Sequence, residues 1–379
     1  MRYRRNTIVR IVGILLLWTI SRAPAQIEDQ PAPPNQEPGI AVNSEVRPAV
    51  QKSRVYYAMD SNVLGPSRSV QPRIVRRMVE SLVCGVTGKS TTSEAWRSLV
   101  SPEDKVGIKV SASGRSVSGT NPEVVAAVVE GLREAGVPEK NIIVWDRNLE
   151  DLLAAGYRKE GDGYQLRWVD AGSGYDSKAQ VSAPVLGKLI WGDRKFGEKS
   201  VQRFSDMLSG GEQLSSQSYY AKVLSTEVTK VINIPSLTDS YTTGINGALV
   251  NMTLANLDNW RRFAKSAADG DSYIAEIYAD APVREKVVLT IMDSLILQYA
   301  GGPFPNPDFA VENYALFAGK DPVAIDATAL RLIEEMRKTN KMPSVKPMTA
   351  YIEAGAQLGL GDYLEHRIEM VRVGVEGIR

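Results

Sequence analysis

The sequence predicts an α/β domain: a mostly parallel, doubly wound sheet with helices on both faces and one irregular insertion. Three observations predict it. From about residue 51, short apolar runs alternate with helical patterns. Helix start and stop signals punctuate them, such as Asn121-Pro122 and Asp321-Pro322 at starts and Gly136 and Pro138 at a stop. The composition is that of an ordinary globular protein, 43% hydrophobic and 23% charged over 379 residues, enough for a large core.

Taken in order, Arg54–Met59 (RVYYAM) reads as a strand. Pro72–Val83 has helical spacing, with Ile74, Val75, Met78, Val79 and Leu82 on one face. Val106–Val110 is a strand, Pro122–Ala135 a helix, Ile142–Trp145 a strand, Leu149–Ala155 a short helix and Leu166–Val169 a strand. The stretch 170–225 is rich in Gly, Ser and Gln with weak periodicity, and reads as an insertion. Lys230–Ile234 then reads as a strand, Tyr273–Ala281 as a helix, and Lys286–Met292 and Tyr314–Ala318 as strands. Val323–Met336 and Tyr351–Leu358 read as helices, and Leu364–Val373 as a final strand containing His366.

The N-terminus has its own signature. Arg2, Arg4, Arg5 and Arg10 precede a ten-residue apolar run, Ile11–Ile20, and then Ala23-Pro24-Ala25. A basic stretch, a short apolar stretch and an A-x-A site make a signal peptide, and the run is half of the roughly twenty residues a spanning helix needs. The expectation is therefore export to the periplasm or outside the cell, with cleavage near Ala25-Gln26 and no membrane span in the mature chain. Arg4-Arg5 leaves the twin-arginine and general secretory routes both open. Residues 26–50 hold five prolines and read as a disordered linker; residues 51–379 then form the single domain. Five arginines and no acid lie in 1–25, so the mature chain has 40 basic and 44 acidic residues, a net charge of about −4. A mildly acidic chain carries no electrostatic footprint for nucleic acid.

One cysteine, Cys84, allows no internal disulfide, and its apolar surroundings, Met78–Val86, read as a burial site. One Cys and one His cannot make a zinc or iron–sulfur ligand set, so Mg or Ca would bind through oxygen ligands. No cofactor is evident.

In a parallel sheet, ligands sit beyond the C-terminal ends of the strands. Two loops there stand out. Lys109–Asn121 (KVSASGRSVSGTN) runs from a strand into a helix and offers Lys109, Ser111, Gly114, Gly119 and Thr120 to a polar or anionic ligand. Its glycines have P-loop spacing, but Thr120 stands where that motif needs lysine. Asn233–Asn251 (NIPSLTDSYTTGINGALVN) offers Asn233, Thr242, Thr243 and Asn251. Three acids, Asp146, Asp293 and Asp326, are candidate catalytic groups should they converge on a metal or form an acid/base pair. Asp60, at another strand end, is a further acid of this kind. Asp321 reads as a helix N-cap.

Several segments in order resemble one family, the domain of unknown function 362 family. They are Val106–Lys109 (VGIK), Thr120–Val125 (TNPEVV), Asn233–Pro235 (NIP), Gly247–Asn251 (GALVN), Lys320–Ala327 (KDPVAIDA) and Gly359-Leu360-Gly361. The resemblance implies an α/β fold and no established reaction. The chain departs from the family pattern at Val110-Ser111, where Pro-Asn is usual, and at Ser236–Ser240, where lysines and a Thr-His pair are usual. The family's iron–sulfur extension is absent from this sequence. Three functional readings follow: a small-molecule ligand at the strand ends, an Asp-dependent hydrolase or isomerase using an oxygen-bound metal, and an accessory protein of an exported redox complex. The last rests only on the company the family keeps and on Arg4-Arg5.

Overall fold

Apolar runs become strands wherever a layer of helices covers them on both sides. The computed structural model describes residues 52–159, 162–181 and 218–374. The candidate signal peptide and the linker lie outside the described residues, as does most of the insertion. The described strands are β1 (Ser53–Met59), β2 (Val106–Val110), β3 (Ile142–Asp146), β4 (Gln165–Trp168), β5 (Tyr175–Gln180), β6 (Tyr219–Ala221), β7 (Lys230–Ile234), β8 (Ser236–Ser240), β9 (Gly244–Asn246), β10 (Val287–Gln298), β11 (Ala310–Gly319) and β12 (Ile368–Arg372). The α-helices are α1 (Pro72–Thr87), α2 (Thr92–Arg97), α3 (Arg115–Ser118), α4 (Pro122–Glu134), α5 (Leu149–Ala154), α6 (Ala248–Thr253), α7 (Arg261–Ala268), α8 (Tyr273–Ala279), α9 (Ala281–Arg284), α10 (Pro322–Thr339) and α11 (Ala350–Gln357).

Ten strands form one sheet in the order β12-β1-β11-β10-β7-β2-β3-β4, with β8 and β9 attached beside β10. Most pairings are parallel; β11 runs antiparallel between β1 and β10, and β8–β9 is a hairpin. The order explains where a ligand site can form. From β2 the chain moves outward through β3 to β4, then returns to β7 on the other side of β2 and moves outward through β10 and β11. The β2/β7 boundary is therefore a topological switch point, where successive connections leave for opposite faces and open a crevice at the strand ends.

The packing bears this out. One core layer holds Val75, Met78 and Leu82 of α1, Val124, Val125 and Val128 of α4, and Leu152 of α5. The other holds Ala248, Leu249 and Met252 of α6, Ile274 and Ile277 of α8, and Ile325, Ala329 and Ile333 of α10. Strand side chains alternate between them: Ile142 and Val144 face the first layer, Ile143 and Trp145 the second.

Most elements begin and end within a few residues of the positions the sequence implies. Four readings are corrected. The 233–251 stretch is no loop: it folds as the β8–β9 hairpin and the start of α6. The strand read as Lys286–Met292 runs on to Gln298, so Asp293 lies inside β10 and not at its end. His366 sits in a short 3-10 turn, Glu365–Arg367, just before β12. Cys84 is only partly buried on α1, and burial raises its thiol pKa. The 170–225 region begins and ends in an antiparallel ribbon, β5 with β6. Among the described residues, no helix is long and apolar enough to cross a membrane.

Candidate functional site

Lys109 is the penultimate residue of β2, an otherwise apolar strand, and the fold leaves its side chain no route to water: it is 0% exposed. A buried ammonium is tolerated only when it is paired and fully hydrogen-bonded. Lys109 Nζ meets that condition. It donates to Asp146 Oδ1 at 2.7 Å, to Asn251 Oδ1 at 3.0 Å and to the Val110 carbonyl at 2.6 Å. Its three donors are thus all used. Burial lowers the Lys109 pKa, and Asp146 opposes that change.

The partners are held in turn. Asp146 Oδ2 accepts the Ala112 N–H at 2.7 Å. Asn251 Nδ2 donates to Asn233 Oδ1 at 2.8 Å, and Asn233 Nδ2 donates to the Ala248 carbonyl at 3.0 Å. Asp326 of α10 accepts the Ala248 and Leu249 N–H groups at 2.5 and 3.0 Å and so fixes the start of α6. A Cβ on Gly247 would lie 2.1 Å from Asp326 Oδ1, so only glycine permits this approach. A continuous polar chain therefore joins β3, β2, β7, α6 and α10 across the switch point.

Above it lies a cleft of about 210 Å³. Its lining includes Ser111 and Ser113 after β2, and Asp146, Arg147, Asn148 and Asp151 after β3. Ser240, Thr242, Thr243 and Asn246 come from the β8–β9 hairpin, and Val250, Asn251, Leu254, Ala255 and Trp260 from α6 and beyond. Pro303 and Phe304 complete it from the β10–β11 connection. That connection is pinned: Gly302 N donates to Asp239 Oδ1 at 2.8 Å, and Gln298 Nε2 to the Phe304 carbonyl at 2.9 Å. Phe304 and Tyr241 stay largely exposed, 61% and 63%, and their segments touch through Tyr241 N and the Gly302 carbonyl. A second, wider depression along Glu334, Glu335, Lys338 and Lys346 is lined mostly by exposed side chains and has no such buried polar floor.

Of the residues expected to bind a ligand, Ser111, Thr242, Thr243 and Asn251 line the cleft, as does Asp146. Lys109 and Asn233 lie beneath it as supports. Gly114, Gly119 and Thr120 do not line it. A Cβ on Gly114 would meet the Ser118–Gly119 backbone at 2.5 Å and one on Gly119 the Arg115 carbonyl at 2.6 Å, so both glycines serve local packing. Thr120 Oγ1 accepts from Ser111 N and donates to the Ile234 carbonyl. Five N–H groups of the loop, at Ser111, Ala112, Gly119, Thr120 and Asn121, are already bonded within the protein, two of them to the carboxylates of Asp146 and Asp293.

Each candidate catalytic acid is engaged by the protein's own donors. Asp293 accepts from Asn121 N and Nδ2 at 2.7 and 2.9 Å, and the Asn121 side chain makes no capping bond to α4. Burial outweighs those bonds and pushes its pKa up to about 6. Asp326 is pushed up by burial to about 7 despite its two N–H donors. Asp60 caps a 3-10 turn through Asn62 N. Among the described residues, no three His, Cys, Asp or Glu side chains gather as a metal ligand set. Asp321 caps α10 through Ala324 N as expected, and also accepts from Asp362 N, against Gly361.

Sequence reasoning missed Arg147, Trp260 and Phe304. Arg147 donates to Tyr175 Oη at 2.9 Å and to the Leu254 and Leu257 carbonyls, and its guanidinium lies 5.5 Å from the Trp260 ring centre. The nearest signal was the position of Arg147, one residue after the strand-end Asp146. Trp260 and Phe304 lie in irregular segments that no periodicity marks.

A family model described as Domain of unknown function (DUF362) matches residues 106–331. No curated protein matches. Among solved structures, a structural-genomics target from Thermotoga maritima aligns over 76% of this chain and 59% of its own, with 9% identity and a TM-score of 0.34. The chain thus spans about three fifths of that protein's length, and the likeness carries no argument about the site.

Proposed function

The chain belongs to the domain of unknown function 362 family, and from that premise we propose that it binds a small, polar, uncharged molecule in the cleft at the β2/β7 switch point. One observation carries this reading. A cleft at the strand ends is lined by hydroxyl and amide groups together with Trp260, Phe304 and Leu254, over a floor whose charges are already paired. Ligand sites have that makeup: mostly apolar and aromatic walls with a few fixed polar groups. The rigid network below holds Asp146 and Asn251 in place before any ligand arrives, which lowers the ordering cost of binding.

The test is a thermal-shift and calorimetric screen of small neutral and charged molecules against the full chain. Asn246→Ala and Thr242→Val each remove one polar group from the cleft wall and should weaken a hit by about tenfold, the worth of one good hydrogen bond. The unliganded chain should lose no more than about 1 kcal/mol, since Thr242 and Asn246 are only partly buried and Asn246 gives up one hydrogen bond, to Ser111 Oγ. A hit insensitive to both variants would place binding elsewhere.

We also propose that residues 1–25 direct export and are removed, on the strength of the basic, apolar and A-x-A stretches read above. Mass spectrometry of protein recovered from the expressing cell should give an N-terminus at Gln26. Recovery of chain beginning at Met1 from the cytosol alone would overturn this.

A further inference from the structure

Resting on the cleft reading, we infer that the ligand is a neutral polyhydroxylated ring, a monosaccharide or cyclic polyol, whose C–H face meets the aromatic side chains of the cleft and whose hydroxyls meet its polar ones.

Charge comes first. The ionisable groups lining the cleft are Asp146, Arg147 and Asp151. Each already has an opposite charge beside it: Lys109 lies 2.7 Å from Asp146, Arg115 3.1 Å from Asp151, and Asp170 3.6 Å from Arg147. Arg147 also spends both terminal nitrogens on Tyr175 and on two backbone carbonyls. An anion or a cation entering the cleft would shed its water without gaining a free counter-charge, which costs several kcal/mol per ion. A neutral ligand avoids that cost.

Hydrogen bonding narrows the class. A carboxylate only accepts, and its two oxygens offer about four lone-pair sites. Asp146 spends one on Lys109 and one on Ala112 N, and Asp151 spends its bonds on Arg115 and Asn148. What the remaining sites call for is a donor. A ligand hydroxyl donates to a carboxylate and accepts from an amide or hydroxyl such as Asn246 or Thr242. A carboxylate ligand group cannot donate at neutral pH, and an apolar ligand would leave these acceptors dry and unpaired.

The third constraint is shape. At about 210 Å³ the cleft falls below the roughly 300–1,000 Å³ of pockets for drug-sized ligands, and suits a single small ring. Trp260 and Phe304 both add aromatic surface to the lining. A ring of alternating C–H and O–H groups has one apolar face and a polar edge, which suits a lining that mixes aromatic and polar side chains.

Calorimetry on the full chain decides, using three matched series: neutral sugars and inositols, their phosphate esters, and their amino derivatives. The expected result is binding by a neutral member, with the phosphate and amino forms of the same ring at least about tenfold weaker. Trp260→Ala should weaken that member at least about tenfold, and Trp260→Phe, which keeps an aromatic surface, much less. Charged forms that bind as tightly as the neutral ring, or a Trp260→Ala variant with unchanged affinity, would overturn the inference. If no polyol binds but a ligand of another class does, in a manner sensitive to Asn246→Ala, this inference falls and the cleft reading stands. If nothing in the wider screen binds, both fall.

Discussion

Replacing Lys109 with methionine will destabilise the domain by about 3–5 kcal/mol, the cost of breaking a buried ion pair from one side. Methionine keeps most of the apolar stem, so the lost energy is that of charge and hydrogen bonding rather than volume. Lys109 is wholly buried, and its ammonium is the group that neutralises Asp146 and satisfies Asn251 Oδ1 at once. Without it, a nearly buried carboxylate and an amide oxygen face each other across an apolar gap. Urea denaturation measures the loss directly. The paired variant Lys109→Met with Asp146→Asn should recover a large part of it, since the asparagine oxygen still accepts from Ala112 N and no charge remains stranded. A single variant less than about 1 kcal/mol below wild type, the scale of an exposed pair, would mean that the ammonium is not the keystone of the floor.

The second large effect concerns pH. Burial raises Asp293 to about 6 and Asp326 to about 7 in the folded chain, while both titrate near 4 when unfolded. Between those values the folded state holds protons that the unfolded chain has released. The contribution of these two groups to stability is therefore greatest below about pH 4, declines as the pH rises, and levels off above about pH 7. A tenfold difference in proton affinity between the folded and unfolded chain is worth about 1.4 kcal/mol, so the decline summed over the two groups is on the order of 7 kcal/mol. Denaturation midpoints from pH 4.5 to 8 should fall across this range, and Asp326→Asn should flatten more of the slope than Asp293→Asn. A midpoint that rises from pH 5 to 7 in wild type would contradict this account. Asp326 also holds the first turn of α6, which carries Val250 and Asn251 into the cleft, so the same titration bears on ligand affinity.

Much of the fold was legible because local signals and burial agreed. Val106–Val110 and Lys230–Ile234 are strands at the very residues the apolar runs mark, and Asp321-Pro322 starts α10 as its cap chemistry implies. The sequence failed where tertiary pairing overrides local pattern. Ser236–Ser240 (SLTDS) is polar and reads as a turn, yet it is wholly buried as β8 because β10 and β9 supply its partners. The extension of β10 past Met292 has the same cause, since β11 and β8 pair with the added residues.

The site was legible in part, and the division is instructive. The segments that carry the family resemblance meet in space: Lys109 of VGIK with Asn251 of GALVN, Asn233 of NIP with both Asn251 and Ala248, and Asp326 of KDPVAIDA with Gly247. They form the floor under the cleft. Arg147, Trp260 and Phe304 of its lining come from connections whose only signal is their place after a strand or helix. Lysine and glycines in a strand-to-helix loop pointed to an anion; the structure shows the protein's own carboxylates in those positions. Sequence can place a charged residue at a strand end. It cannot reveal that its counter-charge lies 37 residues further on.

Fluorine NMR of the full chain labelled with 5-fluorotryptophan tests the central claim most directly. Trp96 and Trp145 are fully buried in the two core layers, whereas Trp260 lines the cleft. Titration with the neutral rings should shift or broaden the Trp260 resonance, assigned from Trp260→Phe, and leave those of Trp96 and Trp145 in place. Saturable binding that leaves the Trp260 signal untouched would contradict the account.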